Sequence, residues 1–186
     1  MPSWTMCARA GVPDVLVNVA GIYPNTLIRD KTAQECDGVY TVNVTAIMTT
    51  RQWLVRAIES EAQHPPRSIV KISSGAARSG RPGATHYSSS KAAVEMLTKV
   101  MAIEFAEFGL TVNTLAPGLI ETDGTRELSL VYETTLLDAQ PVKRIGLPSD
   151  IERACLFLAQ EGSSYITGAT LDVDGGFQTG HPLSLS

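Results

Sequence analysis

The chain has 186 residues, 44% of them apolar and 18% charged, and a net charge of −4. That length suffices for one domain with a substantial core, and the balance is that of a soluble globular protein. The charge leaves no basic footprint for nucleic acid or an anionic membrane surface, and no run approaches the roughly 18 apolar residues of a membrane span. Cys7, Cys36 and Cys155 are an odd number without Cys-x-x-Cys spacing. They read as reduced thiols of a cytoplasmic protein. The first residues carry no basic stretch followed by an apolar one, so no secretory signal is read there.

In chain order, Met1 to Gly11 has no clear period and reads as the end of a helix, with Pro13 beyond it. Val15-Leu-Val-Asn-Val-Ala20 is a short apolar run, as in a strand buried on both faces, and Gly21 ends it. Thr32-Ala-Gln-Glu35 is a capping box. It opens a helical stretch with Val39, Val42, Ile47, Leu54 and Ile58 among its apolar positions. Asn43 lies inside that stretch, and a mediocre helix former there needs a reason. His64-Pro-Pro66 breaks the helix. Ser68 to Ser74 reads as a buried strand, and the glycine-bearing loop from Gly75 to Thr85 as a mobile wall. A helix follows from about Tyr87 to Phe108, with Gly109 as its cap. Its apolar side chains sweep about 220°, whereas packing on one sheet needs a stripe of little more than about 100°. A second copy of the helix is therefore expected on its outer face, giving a homodimer or homotetramer.

Leu110 to Leu115 is the next strand, and Ala116-Pro117-Gly118 turns out of it. Residues 121–146 are irregular yet apolar, and are read as a lid with short helices. Ser149-Asp-Ile-Glu152, after Pro148, reads as a second capping box, opening a helix that runs to Gln160 and stops near Gly162. Thr170 to Val173 is the last strand. Asp174-Gly175-Gly176 turns from it, and residues 178–186 form a loosely held tail. No repeat or linker divides the chain, so residues 1–186 read as a single domain.

The chemistry gathers at Tyr87-Ser-Ser-Ser-Lys91. Tyr87 and Lys91, at i and i+4, share one helix face. An ammonium beside a phenol lowers the phenol's pKa from about 10 toward the operating range of a general acid–base. Ser74 could hold the same substrate oxygen. With five Tyr and five Lys, the spacing arises by chance with an expectation of about 0.13, so the pair alone is weak. Its context is stronger: Ser74 closes a strand and Tyr87 opens a helix, at the carboxyl ends of the strands, where open α/β sheets bind ligands.

Asn18-Val-Ala-Gly21, Asn43, Ser74, Tyr87, Lys91 and Pro117-Gly118 follow each other as in the short-chain dehydrogenase/reductase family. Nearly the whole chain resembles the carboxyl-terminal two-thirds of such a protein, in particular β-ketoacyl carrier-protein reductases and sugar or steroid dehydrogenases. The resemblance implies an α/β, Rossmann-like, doubly wound parallel sheet and an NAD or NADP cofactor. It implies Tyr87 as acid/base, Lys91 as its pKa modifier and nicotinamide-ribose ligand, Ser74 as carbonyl orienter and Asn43 as the water-relay residue. Asn18, Ala20 and Gly21 would line the ribose side, although Val19 stands where the family has a second Asn. Pro117, Gly118, Ile120 and Thr122 would hold the nicotinamide carboxamide.

No Gly-x-x-x-Gly-x-Gly or Gly-x-Gly-x-x-Gly stands in this sequence. Against the family pattern, two βα units and a further strand, roughly 60–80 residues, are lacking before Met1. The expectation is a half-sheet of about four strands, with residues 15–20 as an uncovered edge and weak cofactor binding. Three functions fit: an NAD(P)-dependent oxidoreductase acting on a secondary alcohol or ketone, a catalytically silent interaction protein, or a lyase or epimerase on the same scaffold.

Overall fold

The structure, a computed structural model, describes residues 12–59, 67–125 and 130–180. The expectations for residues 1–11, the 64–66 breaker and the end of the tail lie outside them. Four parallel strands form one sheet in sequential order: β1 (Val15–Asn18), β2 (Arg67–Ile72), β3 (Leu110–Pro117) and β4 (Thr170–Val173). Val15 pairs with Ser68, Arg67 with Leu110 and Thr114 with Thr170.

Helices cover both faces because neighbouring residues of a strand point opposite ways. Ile69 and Val112 face one layer, with Leu54 and Ile58 of α2 (Ala46–Glu59) and Val94 and Met101 of α3 (Thr85–Glu104). Val70 and Leu115 face the other, against Leu158 and Ile151 of α5 (Pro148–Ala159). This is the expected Rossmann-like doubly wound arrangement. Lys71, read as part of an apolar run, is fully buried and donates from Nζ to Thr98 Oγ1 at 3.3 Å.

Several boundaries differ from expectation. β1 is the sheet edge, but it is not buried on both faces: Val15 and Val17 are each 38% exposed. The first helical stretch is broken into α1 (Ala33–Tyr40), one π-turn (Thr41–Thr45) and α2, and Asn43 sits within the π-turn. The Thr32–Glu35 capping box is present. The second box is displaced: Leu147 is the N-cap, Pro148 takes the first helical position, and Asp150 accepts the Leu147 N–H at 2.8 Å. Leucine has no side-chain acceptor, so only the carboxylate half of the motif operates. Arg144 clamps that carboxylate at 2.7 and 3.1 Å, and this hydrogen bonding draws the Asp150 pKa down to about 2.

The predicted Tyr87–Phe108 helix starts at Thr85 and ends at Glu104. A 3-10 turn follows, capped by Gly109 at φ +69°. The 75–85 wall is fastened rather than loose. Gly75–Ala77 is a 3-10 turn, Ser79 Oγ donates to Gln178 at 3.1 Å, and Thr26 N–H donates to the Gly83 carbonyl at 3.1 Å. The tail begins anchored as well, since Gln178 Nε2 donates to the Gly75 carbonyl at 3.1 Å.

Candidate active site

β2 ends at Ile72, and Ser74 caps the 3-10 turn beyond it, its hydroxyl accepting from Ala76 N–H at 3.2 Å. α3 packs on β3 and presents Tyr87 from its first turn. Ser74 and Tyr87 line one cavity of about 780 Å³ with Pro117 and Gly118 from the end of β3. Gly118 is required there: a Cβ would lie 2.8 Å from Asp174 Cα, where the exits of β3 and β4 converge. Residues of the 121–146 stretch, Gly124, Thr125, Leu136 and Gln140, close another side, with α4 (Leu130–Ala139) among them.

Lys91 lies beneath Tyr87, only 4% exposed. Its Nζ donates to the Ile72 carbonyl at 2.8 Å and stands 5.8 Å from the Tyr87 ring centroid. Burial pulls the Lys91 pKa down to about 8. The expected lowering of the Tyr87 pKa by Lys91 is not what this geometry gives. Burial dominates and pushes the Tyr87 phenol up; a hydrogen bond with Ser74 and the charge of Arg81 lower it, and Tyr23 raises it. Lys91 Nζ uses one of its three donors on the Ile72 carbonyl, and the charge of Arg81 also acts on the phenol.

Asn43 is 1% exposed and fully engaged as a donor. Its Nδ2 donates to the Ile22 carbonyl and to Ser90 Oγ, each at 3.0 Å, and its Oδ1 accepts the Ile22 N–H at 2.9 Å. Ser90 in turn donates to the Tyr87 carbonyl at 2.7 Å. A π-turn widens the helix by one residue and re-aims its side chains, a device found at functional sites. Here it delivers an amide that ties the exit of β1 to α3.

The cofactor-side residues divide into two groups. Asn18 donates to Thr50 Oγ1 at 3.3 Å, while its Oδ1 is buried without a hydrogen-bond partner. Ala20 and Gly21 are exposed beyond the strand, and a Cβ on Gly21 would lie 3.3 Å from Lys91 Nζ. The unused Asn18 acceptor and the Lys91 ammonium beside Gly21 are groups that could hydrogen-bond a hydroxylated ring such as the nicotinamide ribose. Pro117 and Gly118 lie on the cavity, Ile120 bridges to Gly146, and the Thr122 hydroxyl is 3.2 Å from that of Thr125.

Sequence reading did not single out Tyr23, Arg81 or Gln178, which are among the cavity residues, although Arg81 falls in the 75–85 wall. Tyr23 meets the Tyr87 ring edge-on, with centroids 6.2 Å apart. Arg81 and Gln178 line the wall beside it. Their signals were weak: an aromatic two residues past Gly21, a cation before Pro82-Gly83, and a glutamine after Asp174-Gly-Gly176. Among the described residues no cluster of His, Cys, Asp or Glu could hold a metal ion. Cys36 and Cys155 are free and half-buried, and no described helix is long and apolar enough to cross a membrane.

Known proteins share this arrangement. The family model described as enoyl-(acyl carrier protein) reductase matches residues 5–178. A 3-oxoacyl-(acyl-carrier-protein) reductase of Chlamydia trachomatis is 36% identical over 88% of this chain and 64% of its own length. A solved gluconate 5-dehydrogenase of Burkholderia cenocepacia, in complex with NADP and tartrate, superposes with a TM-score of 0.86 at 32% identity, covering 92% of this chain and 67% of that one. A 4-hydroxyisoleucine dehydrogenase complexed with NADH and succinate gives 0.83 at 31%, covering 93% and 71%. The chain spans between 64% and 70% of the length of such curated relatives. The matched span holds Ser74, Tyr87, Lys91 and the strands and helices that position them, and the chain belongs to the short-chain dehydrogenase/reductase family.

Proposed function

We propose that this chain carries the catalytic half of an NAD(P)-dependent oxidoreductase site that interconverts a secondary alcohol and a ketone. The observation that carries the reading is the meeting of Ser74 and Tyr87 on one cavity, with Lys91 buried behind the phenol. A nicotinamide cofactor, when bound, supplies or takes the hydride. In the reductive direction Ser74 holds the carbonyl oxygen and Tyr87 delivers its proton there. Burial raises the Tyr87 pKa and keeps the phenol protonated, and the hydrogen bond with Ser74 and the charge of Arg81 act against that rise, toward the range where a general acid works best. Lys91 and Asn18 would hold the ribose, and Pro117, Gly118, Ile120 and Thr122 would flank the nicotinamide. The water-relay role for Asn43 belongs to the same reading.

Solved relatives carry NADP or NADH, which supports a nicotinamide cofactor without choosing between the two. Without a glycine-rich phosphate loop of its own, the 186-residue chain is expected to bind either one weakly. Relatives holding tartrate or succinate support a substrate of small-acid size. None of the relatives named above is a lyase or an epimerase. The free thiols fit a cytoplasmic setting. Met96, Val100 and Ile103, at 58%, 41% and 79% exposure, form a stripe along α3 suited to an isologous contact with a second copy.

The test is turnover. The purified chain is mixed with NADH or NADPH and a panel of small ketones, and nicotinamide absorbance is followed. Consumption tied to ketone supports the reading, and no consumption with either cofactor across the panel overturns it. A calorimetric titration run alongside reads the affinity for each cofactor.

A further inference from the structure

The strand exits follow one another along the carboxyl edge of the sheet in the order β1, β2, β3, β4. Tyr23 lies beyond β1, Ser74 beyond β2, Pro117 and Gly118 at the end of β3, and Phe177 and Gln178 beyond β4, and all of them line the 780 Å³ cavity. Tyr23 and Gln178 thus come from opposite ends of the row. The backbone fixes Tyr23 from both sides. Just before it, Ile22 gives its N–H to Asn43 Oδ1 at 2.9 Å, and its carbonyl accepts from Asn43 Nδ2 at 3.0 Å. Just after it, Thr26 N–H donates to the Gly83 carbonyl at 3.1 Å, and Thr26 Oγ1 donates to Glu35 at 2.8 Å. Between these anchors the Tyr23 ring meets the Tyr87 ring edge-on, with 6.2 Å between centroids, a contact distance that leaves no space between the two rings. The far end of the side chain reaches the 121–146 stretch: a Cβ on Gly124 would collide with the Tyr23 hydroxyl. Tyr23 is also close enough to raise the Tyr87 pKa. Held at both ends, the side chain is nevertheless 48% exposed, so it bounds an open space and does not fill a core.

We propose that Tyr23 is a specificity-determining residue that walls the β1 side of the reacting carbon, so that the substrate is a secondary alcohol or ketone with one small and one larger group; the inference rests on the oxidoreductase reading above. A substrate oxygen held by Ser74 and Tyr87 puts its carbon beside the Tyr23 ring, and the two groups on that carbon then meet different surroundings. One meets a ring backed by Tyr87 on one side and by Gly124 on the other. The other enters the part of the cavity bounded by Leu136, Gln140, Phe177 and Gln178. Room lost in an apolar pocket discriminates by roughly 10- to 200-fold for a single methylene, so a fixed aromatic wall suffices to exclude a bulky second group. Gly124 belongs to the same device. Without a Cβ it lets the Tyr23 hydroxyl come up against the 121–146 stretch, closing the cavity on that side. Asn43 has a part as well, since the Ile22 peptide that it holds sets where Tyr23 leaves the backbone.

The test reads binding apart from turnover. Two secondary alcohols, para-fluorophenyl methyl carbinol and bis(para-fluorophenyl) carbinol, are titrated with the whole chain and followed by fluorine NMR in the presence of NADPH, with which an alcohol cannot react. The first has one small and one large group; the second has two large ones. Wild type should bind the first at least about tenfold more tightly. Tyr23→Ala should remove most of that ratio, and Tyr23→Phe, which keeps the ring, should retain it. Gly124→Ala, whose Cβ displaces the Tyr23 hydroxyl, should change the ratio in the wild-type background and leave it unaltered in the Tyr23→Ala background, a coupling that also keeps the idea testable if Tyr23→Ala fails to fold. In turnover assays, KM for benzophenone relative to acetophenone should fall at least about tenfold in Tyr23→Ala. A binding ratio that collapses in Tyr23→Ala with no ketone reduced would support the wall and count against the oxidoreductase reading. Equal binding of the two probes to wild type, a ratio unchanged in Tyr23→Ala, or no binding of either probe overturns the wall whatever the turnover.

Discussion

The two ends of α3 invert the usual relation between polarity and burial. At its amino end His86, Ser90 and Lys91 are 2%, 0% and 4% exposed. In its later turns Met96, Val100 and Ile103 are 58%, 41% and 79% exposed. Burying polar groups is costly unless each finds a partner. Ser90 has Asn43 and the Tyr87 carbonyl, Lys91 has the Ile72 carbonyl, and both His86 ring nitrogens lie near Lys31 Nζ, at 3.2 and 2.9 Å. The apolar face has no counterpart within the described chain. One end of the helix is polar and buried, and the other carries an apolar stripe that is exposed.

The sharpest way to break this comparison is at Tyr87. Tyr87→Phe should lower turnover by about 10² to 10⁴-fold, the usual worth of a general acid–base group, with an unchanged melting temperature. Turnover equal to wild type would detach the polar end of α3 from catalysis.

Next in size is a pH effect from Lys91. Its pKa falls from 10.5 to about 8 in the folded chain, so its charge is disfavoured by folding. Below pH 8 that penalty is fully present. Between pH 8 and 10.5 the folded chain loses the proton while the unfolded chain keeps it, so this contribution to stability rises with pH. The gain is on the order of 3 kcal/mol across the window. Denaturant melts of wild type and Lys91→Met should diverge in slope over that range; parallel curves would mean that the ammonium is not desolvated.

Asn43→Ala removes the tie between the β1 exit and α3 and should cost about 1–3 kcal/mol, read as a lower melting temperature. A stability within about 0.5 kcal/mol of wild type would leave the π-turn without a packing reason. Smallest in stability is Ile103→Glu. It should leave the melting temperature of an isolated chain nearly unchanged, yet shift sedimentation toward monomer if α3 pairs with a second copy. A wild type that sediments as monomer at micromolar concentration removes that pairing.

Much of this was legible before the coordinates. Apolar runs and caps placed β2, β3, β4 and α3 to within a few residues, because strand and helix periods depend on local pattern. The i, i+4 spacing brought Tyr87 and Lys91 together for the same reason. What the sequence hid depended on contacts distant in the chain. That burial dominates the Tyr87 pKa turns on packing from distant elements, and a Pro-Gly turn sets Arg81 at the cavity rim. The displaced cap had a local clue, since Pro148 favours the first helical position and so points to Leu147, not Ser149. The π-turn around Asn43 announced itself only as a poor helix former in a helix.

The sequential strand order has a consequence for how the chain folds. Every strand pairing must close a long loop: Val15 to Ser68, Arg67 to Leu110, and Thr114 to Thr170 are 53, 43 and 56 residues apart by subtraction of their numbers. Closure entropy grows only with the logarithm of length, so the longest and shortest of these differ by about 0.2 kcal/mol. Chain entropy therefore hardly ranks the pairings, and apolar burial must do so. β2 and β3 are the strands buried along nearly their whole length, whereas β1 and β4 are half-exposed edges. The centre of the sheet is expected to form first and the edges to add to it. Val112→Ala should then slow refolding, while Leu171→Ala should mainly speed unfolding, a contrast that stopped-flow kinetics can read directly.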